Sequence, residues 1–341
     1  LGAIDVSIET KTLSLDTVRK LAKDWLVEAG MDSRGSDVLA DLVTLSERDG
    51  PRSHGLRMLP VYKQTFASGY ANPSAEPTAE QIAPGVLRCD GDNGYFQIAA
   101  EAHRAQLVEM AKEQGIAGFT CFNCHHLAAL RFDTLALAEE GLVAIAMVNA
   151  LKLIVPHGGT EPVFGTNPMS FACPREGNDP IVWDQSSSAV AFMDVRMAAA
   201  EGHDLPIYGG LDHDGNITKD AKVIAETKSL LPFAEHKGTG IALMVEILGA
   251  ALAGGVLSID VEERDSYGAL NVKPGVTMIA IDPSRWGNPA FLSQVTRVAQ
   301  VIDDMPGARV PGDGRKAKRE KAENTGIEVS TALLEELGFD G

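Results

Sequence analysis

Apolar residues in this chain follow one period at first and two in alternation afterwards. Over the first fifth they recur at helical spacing: Leu15, Val18, Leu21, Ala22, Trp25 and Leu26 form one stripe, opened by Ser14 and closed by Gly30. Residues 37–47 read as a second helix. A third is expected from about Ser53 to Gly69, with Pro60 inside it to kink or split it. Beyond that point strand-like runs alternate with helical ones. Strands are expected at 85–89, 116–121 and 143–149, with helices at 98–115 and 127–141. Further strands fall at 169–173, 181–183 and 277–281; helices follow Ser187 and Gly240 and span 289–304. A helical N-terminal region followed by mixed strands and helices is an α/β or α+β pattern.

At 341 residues the chain is about twice a typical domain, so two domains or a core with a satellite are expected. With 45% hydrophobic and 23% charged residues, it can build a large core without covalent staples. The net charge of -17 repels phosphate backbones and anionic lipid, so neither a nucleic acid nor a membrane surface is the expected partner. The most apolar run, residues 241–253, carries Glu246 and falls short of the roughly 20 residues a membrane span needs. No charged-then-apolar leader is visible at the N-terminus, and four cysteines in so long a chain do not resemble a disulfide framework. A cytoplasmic, reducing setting is expected.

Several motifs reduce to bland readings. Cys121-Phe-Asn-Cys124-His125 has the spacing of a haem attachment or a minimal metal site, but only His126 adds a ligand nearby, so no metal is expected. Asp212-His-Asp-Gly-Asn-Ile-Thr-Lys-Asp220 lacks the twelfth-position Glu of a calcium loop and reads as a turn. Arg315 to Lys321 reads as a solvated helical face, or else as an anion-binding edge.

No strand is followed by Gly-x-Gly-x-x-Gly and a helix, and there is no Walker-type loop, so any dinucleotide is bound outside the Rossmann plan. His236-Lys237-Gly238-Thr239-Gly240 opens an almost wholly apolar helix that is expected to be buried. Its N-terminus either holds an anion beside Lys237 or is glycine-rich for packing alone. Ser53-His54-Gly55 is a further candidate: Ser53 by itself would be a helix N-cap, and His54 a first-turn surface residue.

The company these residues keep is more specific. Ser53-His54-Gly55 with Arg57, Pro60 and Tyr62 is followed in order by His125-His126-Leu127-Ala128-Ala129-Leu130, Pro156-His157-Gly158, Phe164-Gly165-Thr166-Asn167-Pro168 and Leu231-Pro232-Phe233 with His236-Lys237-Gly238. In this ordered set, from about residue 12 to 330, the chain resembles the non-Rossmann malate/L-lactate dehydrogenase-like NAD(P)-dependent oxidoreductases. Within them it is most similar to the Δ1-piperideine-2-carboxylate/Δ1-pyrroline-2-carboxylate reductases. His125-His126 in place of Asn-His, and Asp194 in place of a Gly-Lys pair, separate it from the hydroxy-acid branch.

The resemblance implies an N-terminal helical region and a largely antiparallel or mixed central sheet. It divides the chain into residues 1–118 with 290–341, a helical part for substrate and dimerisation, and 119–289, a NADP-binding part. It implies His54 as proton donor with Ser53 and Asp194 as relay partners, and substrate contacts at Arg57 and Thr166. Cofactor contacts are implied at His126, Leu127, Ala128, Ala129, Leu130, Asp184, Gln185, Ser186, His236, Lys237, Arg309 and Arg315. The implied cofactor is NADPH, with NADH as the alternative, and the implied assembly a homodimer.

The expected reaction is reduction of a small cyclic 2-imino acid to L-proline or L-pipecolate; the alternative is a malate- or lactate-type 2-oxo-acid reductase. A binding protein that keeps the fold without turnover is the third class. Two departures bear on the substrate more than on the reaction. The family's substrate arginine stands four residues after the histidine, where this chain has Met58; Arg57 is one earlier, about 100° away on a helix. Residues 184–193 also depart from the usual Asp-x-Ala-Thr/Ser run.

Overall fold

The computed structural model describes residues 9–261 and 273–339. Residues 1–8, on which the expectation of no leader rests, lie outside them. Strand β1 (Thr10–Leu13) leads into α1 (Leu15–Glu28), where the Ser14 hydroxyl accepts the Thr17 N–H at 3.1 Å as the N-cap. Helix α2 (Ser33–Asp49) starts on Asp32, whose carboxylate accepts the Gly35 N–H. It outruns the expected 37–47 at both ends. The two helices meet through Val18, Ala22 and Leu26 against Leu39, Ala40 and Val43.

The expected third helix is broken before Pro60, not at it. Two single 3-10 turns, Arg52–His54 and Leu56–Met58, precede α3 (Leu59–Ala67). Pro60 sits in the first turn of α3, where a missing N–H leaves no intrahelical bond unmade.

The chain then runs through β2 (Thr78–Ala83), β3 (Val86–Tyr95), α4 (Phe96–Gln114), β4 (Ile116–His125), α5 (Arg131–Glu139), β5 (Val143–Val148), β6 (Met169–Arg175) and β7 (Asn178–Gln185). It continues with α6 (Phe192–Glu201), β8 (Gly210–Leu211), β9 (Ile217–Thr218), α7 (Ala221–Thr227) and α8 (His236–Val245), which ends in a π-helical turn, Glu246–Ala251. Last come β10 (Val276–Ile281), α9 (Phe291–Asp303), α10 (Lys316–Thr325), β11 (Ile327–Ser330) and α11 (Thr331–Glu336).

Seven strands form the central sheet in the order β2-β3-β4-β10-β5-β6-β7. Among the described residues β3 and β4 are its one parallel pair, and the other neighbours are antiparallel. A Rossmann sheet is parallel throughout, so this mixed sheet agrees with the missing glycine fingerprint. Its buried face carries Leu87, Phe119, Ala144, Ala146, Met278 and Ala280 under α4 and α5. Cys121 to His125 lies inside β4, and both thiols are buried in that core. Asp212 makes the turn expected of it: its Oδ1 accepts the N–H groups of Asp214 and Asn216 between β8 and β9. The 315–321 stretch is largely helical, in α10.

The two ends of the described chain meet. β1 pairs antiparallel with β11, Thr10 opposite Ser330, and Leu333, Leu334 and Leu337 join the core of α1, α2 and α3.

One expectation is reversed. The apolar α8 run is not enclosed: Leu243 is 47% and Ile247 51% exposed, and His236 and Lys237 at its start are exposed too. Only one side of α8, with Gly238, Ala242 and Val245, is buried. Apolar composition alone does not distinguish a core from a surface made to meet another molecule. Among the described residues no helix is long and apolar enough to cross a membrane.

Candidate active site

The site assembles where the 3-10 turns after α2 meet the stretch between β4 and α5. His54 ends the first turn, and its Nδ1 lies 2.8 Å from the carbonyl oxygen of Leu127. Since a carbonyl only accepts, Nδ1 carries the hydrogen, and Nε2 is the nitrogen that can take up or release a proton. Burial lowers the His54 pKa; the Leu127 bond opposes this, while His126 and Arg131 lower it further.

Leu127, Ala128, Ala129 and Leu130 are buried and precede α5, which begins only at Arg131. The start of α5 is set from a distance. Asp184, near the end of β7, accepts the Arg131 N–H at 3.0 Å. The Arg131 guanidinium, which donates to the Gly50 carbonyl and lies 4.1 Å from the Phe132 ring centroid, has its pKa pulled down to about 10, first by burial and then by Arg315. Burial in turn raises the Asp184 pKa, against the Arg131 N–H and the nearby cations. His126 faces Asp133 at 3.4 Å and stacks at a tilt on Phe96.

A second group of cations sits beside them. Arg315 donates to the Val182 carbonyl at 3.2 Å, and its pKa is lowered mainly by burial, with Arg309 adding to the fall. Arg309 lies so close to Gly314 that a Cβ there would stand 2.7 Å from its Nη1. The structure therefore brings His54, Leu127, His126, Asp184, Arg131 and the Arg309–Arg315 segment into one neighbourhood. Gln185 is exposed at the end of β7, and Ser186 shares a hydroxyl–hydroxyl bond of 2.9 Å with Ser188.

Other expected residues stand differently. Among the described residues Ser53 makes no capping bond, and Arg57 is exposed without a hydrogen bond or ion pair. Asp194 lies exposed in the first turn of α6, and no hydrogen bond joins it to His54. His236 and Lys237 are exposed at the start of α8, the His236 ring 6.3 Å from that of His157.

Thr166 is held through its neighbours. Its carbonyl accepts the Ser187 N–H at 2.7 Å. Asn167, at φ 37°, donates from Nδ2 to Glu246 Oε2 and to the Ala242 carbonyl. Glu246 also accepts from the backbone and hydroxyl of Ser258, both at 2.7 Å. The π-helical turn thus begins on a buried carboxylate that clamps the Thr166 loop, a pattern found at functional sites.

Sequence reasoning passed over Glu47, Arg131 and Glu246. Arg131 and Glu246 each interrupt an otherwise apolar run, which was the available signal; Glu47 lies in the polar run Ser46-Glu47-Arg48-Asp49 and gave none. A cavity of about 1180 Å³ lies between α2, α4 and α5, and none of the expected site residues lines it. Converging polar groups at His54, more than cavity size, mark the chemistry.

The arrangement suits a cofactor bearing phosphates: Arg309 has no ion pair among the described residues, and Arg315 is bonded only to a carbonyl. The malate/L-lactate dehydrogenase family model matches residues 13–338. A Δ1-pyrroline-2-carboxylate/Δ1-piperideine-2-carboxylate reductase of Pseudomonas syringae pv. tomato is 37% identical over 328 residues, 96% of each chain. A (2R)-3-sulfolactate dehydrogenase (NADP+) of Chromohalobacter salexigens is 34% identical over 331 residues, 96% of this chain and 97% of that one. The crystal structure of Δ1-piperideine-2-carboxylate reductase from Pseudomonas syringae has a TM-score of 0.93 at 37% identity, covering 96% of this chain and 99% of that one. Motif order, mixed sheet and end-to-end match agree, and the chain belongs to the malate/L-lactate dehydrogenase family of NAD(P)-dependent oxidoreductases.

Proposed function

We propose that the protein reduces a small cyclic 2-imino acid, Δ1-pyrroline-2-carboxylate or Δ1-piperideine-2-carboxylate, to L-proline or L-pipecolate, with NADPH as cofactor. The observation that carries this is the bond from His54 Nδ1 to the Leu127 carbonyl. It ties a histidine with a free Nε2 to the stretch expected to hold the cofactor. When bound, the reduced nicotinamide supplies hydride to the carbon beside the substrate carboxylate. Protonating an imine nitrogen makes that carbon more electrophilic, and a histidine of lowered pKa is a stronger acid for the task.

Arg57, exposed and unpaired beside His54, is the proposed partner of the substrate carboxylate, with Thr166 as a second contact. Leu127 to Leu130, Asp184 to Ser186, Arg309 and Arg315 would hold the cofactor, the two arginines near its phosphates. Exposed Met193 and Met197 on α6, with Leu243 and Ile247 on α8, support a homodimer, through which Asp194 and His236 would gain partners.

A second reading, reduction of a 2-oxo acid to a 2-hydroxy acid, is favoured by the similarity to the sulfolactate enzyme. Following NADPH absorbance with Δ1-pyrroline-2-carboxylate, Δ1-piperideine-2-carboxylate, pyruvate and oxaloacetate in parallel decides between them. Turnover of the oxo acids alone would sink the imine reading.

A further inference from the structure

The last turn of α2 sends one carboxylate inward beneath the segment that bears His54. Glu47 is only 5% exposed, and its Oε1 accepts the backbone N–H of Leu56 at 2.8 Å. That N–H needs an acceptor. The two 3-10 turns close through His54 N–H to Pro51, Gly55 N–H to Arg52 and Met58 N–H to Gly55, and none of these bonds uses it. Glu47 therefore caps the second turn from another helix.

The same oxygen accounts for the glycine. Gly55 has φ −89°, outside the left-handed region that favours glycine. Space is short there: a Cβ at position 55 would stand 2.1 Å from Glu47 Oε1 and 2.7 Å from Cδ, so the carboxylate would have to leave its place. On its other side, Arg52 Nε stands 3.8 Å from Oε2. Burial raises the Glu47 pKa, opposed by the Leu56 N–H and then by Arg52 and Arg57. Residues on both flanks of His54 thus converge on one buried carboxylate, a group whose desolvation is costly unless its bonds are made.

We infer that Glu47 is the positioning residue for His54, joining the two turns around Gly55 into one rigid piece that holds the imidazole against the Leu127 carbonyl. Glu47 itself touches neither substrate nor cofactor. Without it the turns pivot at Gly55, and a misplacement of about 1 Å at an acid is worth up to about 100-fold in rate. The kinetic part of the inference rests on the proposed reductase reading; the structural part does not.

Glu47→Ala and Glu47→Gln separate positioning from mere stability. Nitrogen-15 NMR of histidine-labelled protein should show a fixed Nδ1–H tautomer for His54, assigned by His54→Gln. Glu47→Ala is expected to average that signal and to lower kcat roughly 10- to 100-fold, with KM and the NADPH Kd within about threefold. Glu47→Gln keeps an acceptor oxygen for Leu56 and should recover most of kcat. Gly55→Ala strikes the same contact from the other side and serves if Glu47→Ala does not fold. Adding Glu47→Asp to it, which withdraws the carboxylate by one methylene, should restore part of the loss. A normal His54 signal and normal kcat in the folded variant would overturn the inference. If the wild type turns over no imino or oxo acid, the reductase reading falls, and the NMR result alone decides the role of Glu47.

Discussion

His54 and Leu127, 73 residues apart, are joined by one hydrogen bond of 2.8 Å from the ring Nδ1 to the main-chain carbonyl. That bond leaves Nε2 as the nitrogen able to exchange a proton and places the ring beside the buried stretch before α5. Removing the ring is expected to lower kcat by about 10²- to 10⁴-fold, the usual worth of a general acid. NADPH binding, followed by fluorescence titration of His54→Ala, should survive. A variant that turns over at the normal rate would take His54 out of the mechanism.

The pH dependence follows from the direction of the His54 shift. In the proposed role of His54 the protonated ring is the acid, so kcat/KM for reduction should fall as pH rises, with its midpoint on the acid side of 6.5. Stability has the opposite sign. Between the lowered folded value and 6.5 the unfolded chain binds more protons, so stability grows with pH across that window and is lost on acidification through it. Urea unfolding at several pH values, with His54→Gln as the control, checks this. Identical slopes in the two proteins would contradict it.

Asp184 links the end of β7 to the first N–H of α5 and stands among buried cations. Asp184→Ala leaves that N–H and Arg131 without the carboxylate, at an expected cost of about 1–3 kcal/mol. Asp184→Asn keeps an acceptor and should lose less. Thermal unfolding with and without NADPH reads both effects, since the cofactor should protect the alanine variant least. An unchanged melting temperature for Asp184→Ala would refute the role.

Glu246 accepts from Ser258 twice and from Asn167 once, all inside the protein. Glu246→Ala should destabilise by about 2–4 kcal/mol, as expected when several buried donors lose one acceptor. Because Asn167 follows Thr166, the kinetic signature should be a raised KM for the imino acid more than a lowered kcat. Urea denaturation and steady-state rates test the two halves separately.

Charges placed on the exposed side of α8 test the proposed homodimer. The double substitution Leu243→Glu with Ile247→Glu should yield a folded monomer in sedimentation velocity. A wild-type protein that sediments as a monomer would remove the proposal.

The sequence made the local elements legible and left the contacts between them obscure. Ser14 announces α1, and α4 and β5 follow their apolar periods, because these depend on neighbours within a few residues. Pro60 was misleading, since proline breaks a helix interior but fits a first turn, and the 3-10 turns before it carry no periodic mark. Leu127 to Leu130 look helical, yet α5 waits for Arg131, whose N–H is claimed by a carboxylate 53 residues away. The apolar face of α8 reads as core because water is excluded equally well by another part of the fold or by a second molecule. His54 was visible through the motifs around it. Glu47, inside a helix and bonded to a main-chain N–H, could be found only in three dimensions.

The ladder between β1 and β11 has a consequence for how the protein comes to exist. The helices that support His54 complete their core with Ile327, Val329 and Leu333, so this layer cannot close until almost the whole polypeptide has been synthesised. Contacts so distant in sequence are formed late and slowly. The platform under His54 is therefore expected to be among the last parts to mature, after the sheet it serves. A shortened chain ending before residue 327 should retain sheet structure yet lose the ordered surroundings of His54.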